Sequence, residues 1–137
     1  MVKIKRFDIL GNVERYTELH TGIFEDKYPI NCPAFFYEVF SEDECVGFIS
    51  GYMTHPGCFY IQRIGIPAIL RGKGHAVEWL RDIEAELKGT MTTLTGDIDN
   101  DNVSPIIVAL KSGWKIIGCH VDSDGKLTVR VEKELWR

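Results

Sequence analysis

Several things this 137-residue chain does not contain narrow its class before any motif is read. It has no uninterrupted apolar run of the roughly 18 residues needed to cross a bilayer. Its N-terminus, Met-Val-Lys-Ile-Lys-Arg, lacks the apolar centre of a secretion signal. There is no CxxC pair among its 4 cysteines, Cys32, Cys45, Cys58 and Cys119, so neither a disulfide framework nor a zinc finger is expected. The closest approach to metal-ligand spacing is His55 with Cys58, and Cys119 beside His120; the remaining spacing fits no zinc module, and ordinary burial of small thiols is the preferred reading. No repeat, low-complexity tract or linker interrupts the chain. A net charge of −4 argues against nucleic acid as the main partner and mildly favours cationic ligands. These absences point to a cytoplasmic protein with no metal, no nucleic acid and no membrane partner. With 45% apolar and 26% charged residues, residues 1–137 are expected to form one globular domain.

The chain carries its clearest chemistry between Tyr60 and Gly89. An apolar, β-forming run through Ile61, Ile64 and Ile66 leads into Arg71-Gly72-Lys73-Gly74-His75-Ala76. Beyond it Ala76, Leu80, Ile83 and Leu87 recur at helical spacing, and Gly89 supplies a stop. Glycines at the mouth of a helix let the backbone approach a ligand closely, because no Cβ holds it away. The first-turn N–H groups point outward and carry a partial positive charge. Strand, glycine turn and helix together therefore make an anion site built of backbone, suited to phosphate. Arg63, Arg71 and Lys73 make that spot positive on an acidic protein.

The rest of the chain supplies a sheet. Lys3 to Ile9 reads as a strand, and Asn12 caps a short helix through about His20. Thr21 to Pro33 reads as a loop with at most one further turn of helix. Strands follow at 34–40, 45–53 and 58–66, with turns at 41–44 and at His55-Pro56-Gly57. After the helix come a strand at 91–98, a polar loop, and a helix that starts near Ser104-Pro105 and ends at Gly113. A final hairpin pairs 114–118 with 127–131. The fold class is α+β: a mixed, mostly antiparallel sheet flanked by helices, with one clear strand–helix–strand crossover at the glycine turn.

In this order of elements the chain resembles the GCN5-related N-acetyltransferase (GNAT) superfamily along nearly its whole length. The superfamily's acyl-CoA signature, Gln/Arg-x-x-Gly-x-Gly/Ala, is met by Arg71 through Ala76. A second feature, an Asn followed eleven residues later by a Gly-aromatic pair, is met by Asn102 and Gly113-Trp114. The resemblance implies acetyl-CoA as co-substrate and a small-molecule or peptide amine as acceptor. The main-chain N–H groups of Arg71, Gly72, Lys73, Gly74, His75 and Ala76 would hold the CoA pyrophosphate. Ile64, Gly65 and Ile66 would splay from the next strand and pair with the pantetheine arm, Ile64 offering the N–H that polarises the thioester. Asn102 would reach the pantetheine or a phosphate, or simply cap its helix. Dimers through the late strands are common in the superfamily, and the sequence leaves a homodimer open.

The catalytic half of the pattern departs from the resemblance. Ala109 stands where a tyrosine commonly donates a proton to the departing thiolate. The strand before the glycine turn carries Tyr60, Gln62 and Arg63 where a glutamate base is common. An alkyl ammonium has a pKa near about 10, so a group must still take a proton. His55, Tyr60 and Tyr52 are the catalytic candidates, each with a bland alternative as surface histidine or core aromatic; Cys119 and His120 are more distant ones. Direct attack rests mainly on positioning the amine against a polarised thioester, which tolerates weak acid–base help. Two rival readings stay open: a GNAT-type protein that binds CoA or another phosphate ligand without turnover, and an interaction protein whose glycine turn is only structural.

Overall fold

The computed structural model describes residues 2–24, 34–65, 75–101 and 103–135. In chain order the elements are β1 (Lys3–Asp8), α1 (Val13–Phe24), β2 (Phe35–Ser41), β3 (Glu44–His55), β4 (Cys58–Gly65), α2 (His75–Leu87), β5 (Thr93–Asp99), α3 (Val103–Lys111), β6 (Lys115–Val121) and β7 (Leu127–Glu134). This is the expected α+β order. The strands form a 7-stranded sheet in the order β1-β2-β3-β4-β5-β7-β6. Every neighbouring pair is antiparallel except β4 and β5, whose parallel pairing follows from the crossover through α2.

β2 shows how the sequence builds layers on both sides of this sheet. Phe35 through Val39 are all buried, and successive side chains leave a strand on opposite faces. Phe35, Tyr37 and Val39 enter the main core with Trp79, Leu80, Ile83 and Leu87 of α2 and Ala109 of α3. Phe36 enters a second cluster with Phe48 and with Tyr16 of α1. Glu38 faces that same side and is held by Arg15 of α1 through two hydrogen bonds, at 2.5 and 2.7 Å. One half of the sheet, β1 to β4, is thus covered by α1 on one face, and α2 and α3 cover the other face.

Some boundaries differ from the sequence reading. α1 takes the one further turn the sequence allowed and runs on to Phe24, because Tyr16, Leu19, His20 and Ile23 keep a helical stripe against Phe36 and Phe48. β3 extends through His55, so the turn to β4 is made by Pro56 and Gly57 alone. β6 extends to Val121 and carries Cys119 and His120 inside an edge strand. The expected burial of thiols is corrected: Cys45 and Cys119 are exposed and Cys58 is half-buried. Cys45 is the second residue of β3, next to a hairpin turn, and Cys119 lies on the edge strand β6, all of whose residues are exposed among the described residues. No helix among the described residues is long and apolar enough to cross a membrane.

Candidate active site

Parallel pairing of β4 with β5 is short. It runs from Cys58↔Thr93 to Ile61↔Gly96 and stops. Past that point β4 stays with β3, as Arg63↔Ser50, Ile64↔Ile49 and Gly65↔Phe48. β5 stays with β7, as Asp97↔Arg130, Ile98↔Val129 and Asp99↔Thr128. The strands therefore diverge, and alternate peptide groups of β4 from Gln62 onward face the opening with no ladder partner in β5. An extended chain entering there could complete the ladder as an added strand.

Gly65 lies at the outer end of this opening. A Cβ there would run into the Phe48 ring and approach Ile23 of α1 at 3.0 Å, so only glycine lets α1 close over β4. Ile64 points the other way and packs against the main core. His75 and Ala76 open α2. Ile66, Arg71, Gly72, Lys73, Gly74 and Asn102 lie outside the described residues.

At the inner end of the opening sits a polar group. Tyr60, half-buried on β4, donates its hydroxyl to Asp97 Oδ2 at 2.8 Å, reaching diagonally across to β5. Arg130 of β7 grips the same carboxylate with Nε on Oδ1 at 2.9 Å and Nη2 on Oδ2 at 3.0 Å. Such a bidentate, charge-assisted pair fixes a carboxylate in both position and rotation. Tyr52 of β3, opposite Tyr60 in the register, packs against it with ring centroids 5.1 Å apart and the planes tilted by 35°. Burial, then the bond to Asp97, pushes the Tyr60 phenol far above its ordinary value. Burial also pushes the Asp97 carboxyl up, but the hydrogen bonds from Arg130 and Tyr60 outweigh it and hold it below the usual range. At neutral pH the pair is therefore a protonated phenol donating to an ionised carboxylate.

The other sequence candidates lie farther out. His55 is exposed at the end of β3, beside the turn at the closed end of the β4–β5 pairing. His120 on β6 has Nε2 3.3 Å from Thr128 Oγ1 and adds its charge to those that favour ionised Asp97. Cys119 alternates with His120 and lies opposite Val129. Ala109 is buried in the main core and its side chain offers no polar atom. Asp97 and Arg130 escaped sequence reading because they meet Tyr60 only through strand pairing. The available signal was the alternation Thr93, Thr95, Asp97, Asp99, which gives β5 one polar face.

A separate groove of about 640 Å³ lies beside α1, lined by Gly11, Asn12, Glu14, Arg15, Glu18, Leu19 and Glu38. None of these residues belongs to β4 or β5, and Arg15 and Glu38 in its lining are paired with each other. It has no part in the opening described above.

Comparison with known proteins adds a family and a set of like folds. Residues 6–114 match the model of the acetyltransferase (GNAT) family. Ard1 from Thermoplasma volcanium is similar at 16% identity and TM-score 0.71, over 99% of this chain and 99% of that one. Arabidopsis thaliana Naa50, solved in complex with the bisubstrate analogue CoA-Ac-MVNAL, is similar at 19% identity and TM-score 0.68, over 96% and 98% of the two chains. The IAA acetyltransferase from Bacillus cereus is similar at 18% identity and TM-score 0.65, over 98% and 99%. At such identities the likeness is one of fold. No curated protein matches the chain in sequence.

Proposed function

Because the chain belongs to the acetyltransferase (GNAT) family, we propose that it is an acyl-CoA-dependent N-acyltransferase moving acetyl from acetyl-CoA to a primary amine by direct attack. The observation that carries this is the divergence of β4 from β5 past Ile61↔Gly96, with the Tyr60–Asp97 pair at its closed end. In this reading the pantetheine arm enters as an added strand, the Ile64 N–H polarises the thioester carbonyl, and the N–H groups of Arg71 to Ala76 hold the pyrophosphate. Asn102 assists on the phosphate side. The Tyr60 hydroxyl meets the amine, Tyr52 shields it, and His55 is too far along the hairpin to be the first choice. The acceptor is a small amine or a peptide amine.

The test is thiol release from acetyl-CoA with a panel holding an alkyl amine, a polyamine, an aminoglycoside and a peptide with a free amino terminus. Release above the amine-free rate supports transfer. A second reading, binding of CoA without turnover, is favoured by one observation: Ala109 is apolar and buried where the superfamily commonly has a tyrosine. Tight acetyl-CoA binding with no release on any amine would establish that second reading instead. Both readings require the anion site. Gly74→Glu, which sets a carboxylate and a Cβ at the pyrophosphate position, is expected to raise the CoA dissociation constant tenfold or more, about 1.4 kcal/mol; unchanged affinity in calorimetry would remove the glycine turn from the site.

A second copy of the chain is the partner we assign to the edge strand β6. All of β6 is exposed, including Ile116, Ile117 and Val121, and its outer side has no strand neighbour among the described residues. Antiparallel pairing about a two-fold axis would satisfy that edge.

A further inference from the structure

We infer that Tyr60, Asp97 and Arg130 form a directed proton relay, in which Asp97 is the final proton acceptor of the transfer and Arg130 the residue that positions it. The inference rests on the acyltransferase reading above and names the groups that serve where a strand glutamate is missing.

Direction follows from the hydrogen bonds. Asp97 is held ionised and can only accept, so the Tyr60 proton points at Oδ2. The lone pairs of Tyr60 Oη are then left for an N–H donor arriving from the open side. In the transfer, the amine enters as its neutral fraction, its ammonium proton already lost to solvent, and its lone pair forms the N–C bond to the acyl carbon. The C–S bond breaks with its electron pair on sulfur, leaving the CoA thiolate. The nitrogen, now positively charged, gives a proton to Tyr60 Oη, and the Tyr60 proton passes to Asp97 Oδ2. Solvent recovers that proton after the products leave.

A carboxylate held below its usual range is a poor base for an alkyl ammonium. It is adequate here, because the nitrogen becomes strongly acidic as its lone pair is drawn into the forming amide. What the site has to supply is an acceptor already in place. Arg130 supplies the placement: its two bonds aim Oδ2 at the phenol and restore the ionised state between turnovers. The geometry also distinguishes the group from a plain cross-strand tie. The ladder already joins β4 to β5 up to Ile61↔Gly96, and these side chains gather where it ends.

The experiment compares Asp97→Asn, Tyr60→Phe, Arg130→Met and Arg130→Lys, using the panel amine with the highest turnover. Asparagine keeps an oxygen for the phenol to donate to but cannot take its proton. Asp97→Asn and Tyr60→Phe are each expected to lower kcat by on the order of 100-fold with KM for acetyl-CoA within about twofold. Arg130→Met is expected to do the same, and Arg130→Lys to recover part of the loss. In carbon-13 tyrosine spectra, with Tyr60→Phe identifying the signal, Asp97→Asn is expected to bring the Tyr60 titration to lower pH. A kcat for Asp97→Asn within about twofold of the unsubstituted protein, or a Tyr60 titration that does not move, overturns the relay alone. No turnover by the unsubstituted protein on any amine counts against the acyltransferase reading and removes the relay with it. If Asp97→Asn does not fold, Tyr60→Phe carries the same kinetic test.

Discussion

Glu84 is the residue whose placement asks most for an explanation, a carboxylate buried between α2 and the C-terminal end of α3. It accepts the Trp114 indole N–H at 2.7 Å, and Lys133 lies 3.8 Å away, itself donating to the Ser112 carbonyl at 2.5 Å. Burial pushes the Glu84 carboxyl up, and the bond from Trp114 with the charges of Lys133 and Arg81 only partly offsets this. A carboxyl raised in the folded state holds its proton to higher pH than in the unfolded chain. Its contribution to stability therefore falls as pH rises from the ordinary carboxylate value to the raised one. Trp114→Phe removes the indole N–H that favours the charged form by direct hydrogen bonding, and is expected to cost about 2 kcal/mol near pH 7. Near pH 5, with Glu84 closer to neutral, the cost should be smaller. Urea denaturation at the two pH values checks this, and equal losses would mean that the indole acts by packing alone. The Tyr60 site teaches the same lesson at this scale. Tyr60 was legible as a candidate, whereas Asp97 and Arg130 were not, since Asp97 lies 37 residues from Tyr60 and Arg130 a further 33 beyond Asp97 in sequence.

Among the elements, α3 shows local sequence deciding a boundary. Gly113 takes φ +86°, its N–H bonds to the Leu110 carbonyl at 3.1 Å, and the Trp114 N–H bonds to the Ala109 carbonyl at 3.0 Å. This is a Schellman stop, with Trp114 and Ala109 making the accompanying apolar contact in the core. Gly113→Ala meets the left-handed penalty of about 1–2 kcal/mol. Its Cβ would also stand 3.0 Å from Lys133 Nζ, the cation beside Glu84. A loss in that range, with an unchanged denaturant slope, is expected; a neutral result would show that the turn relaxes. The order of helices and strands was readable from periodicity and punctuation throughout. What local pattern did not give was the extent of α1 and β6. α1 is lengthened by apolar contacts with β2 and β3, and β6 by pairing with β7, both of them long-range.

For the whole molecule, the uneven covering of the sheet matters most. α1 shields the β1–β4 half of one face, so the β5-β7-β6 half keeps Asp97, Asp99, Arg130 and His120 at least partly accessible on that side. The sheet then ends on β6, whose exposed apolar residues motivate the proposed homodimer. Sedimentation velocity across a concentration series is expected to show a monomer–dimer equilibrium, and Ile117→Lys to shift it toward monomer. A single monomeric species for the unsubstituted chain at every concentration would refute that interface. By itself the sequence determined the fold class, the element order and the family, because these depend on local signals: apolar period, glycine and proline positions, and a motif in its strand–helix context. Only the tertiary structure decided where β4 parts from β5, which thiols are exposed, and which side chains Tyr60 meets. Each of these depends on strand register and on which layer covers which face, and both arise from pairing between residues far apart in the chain.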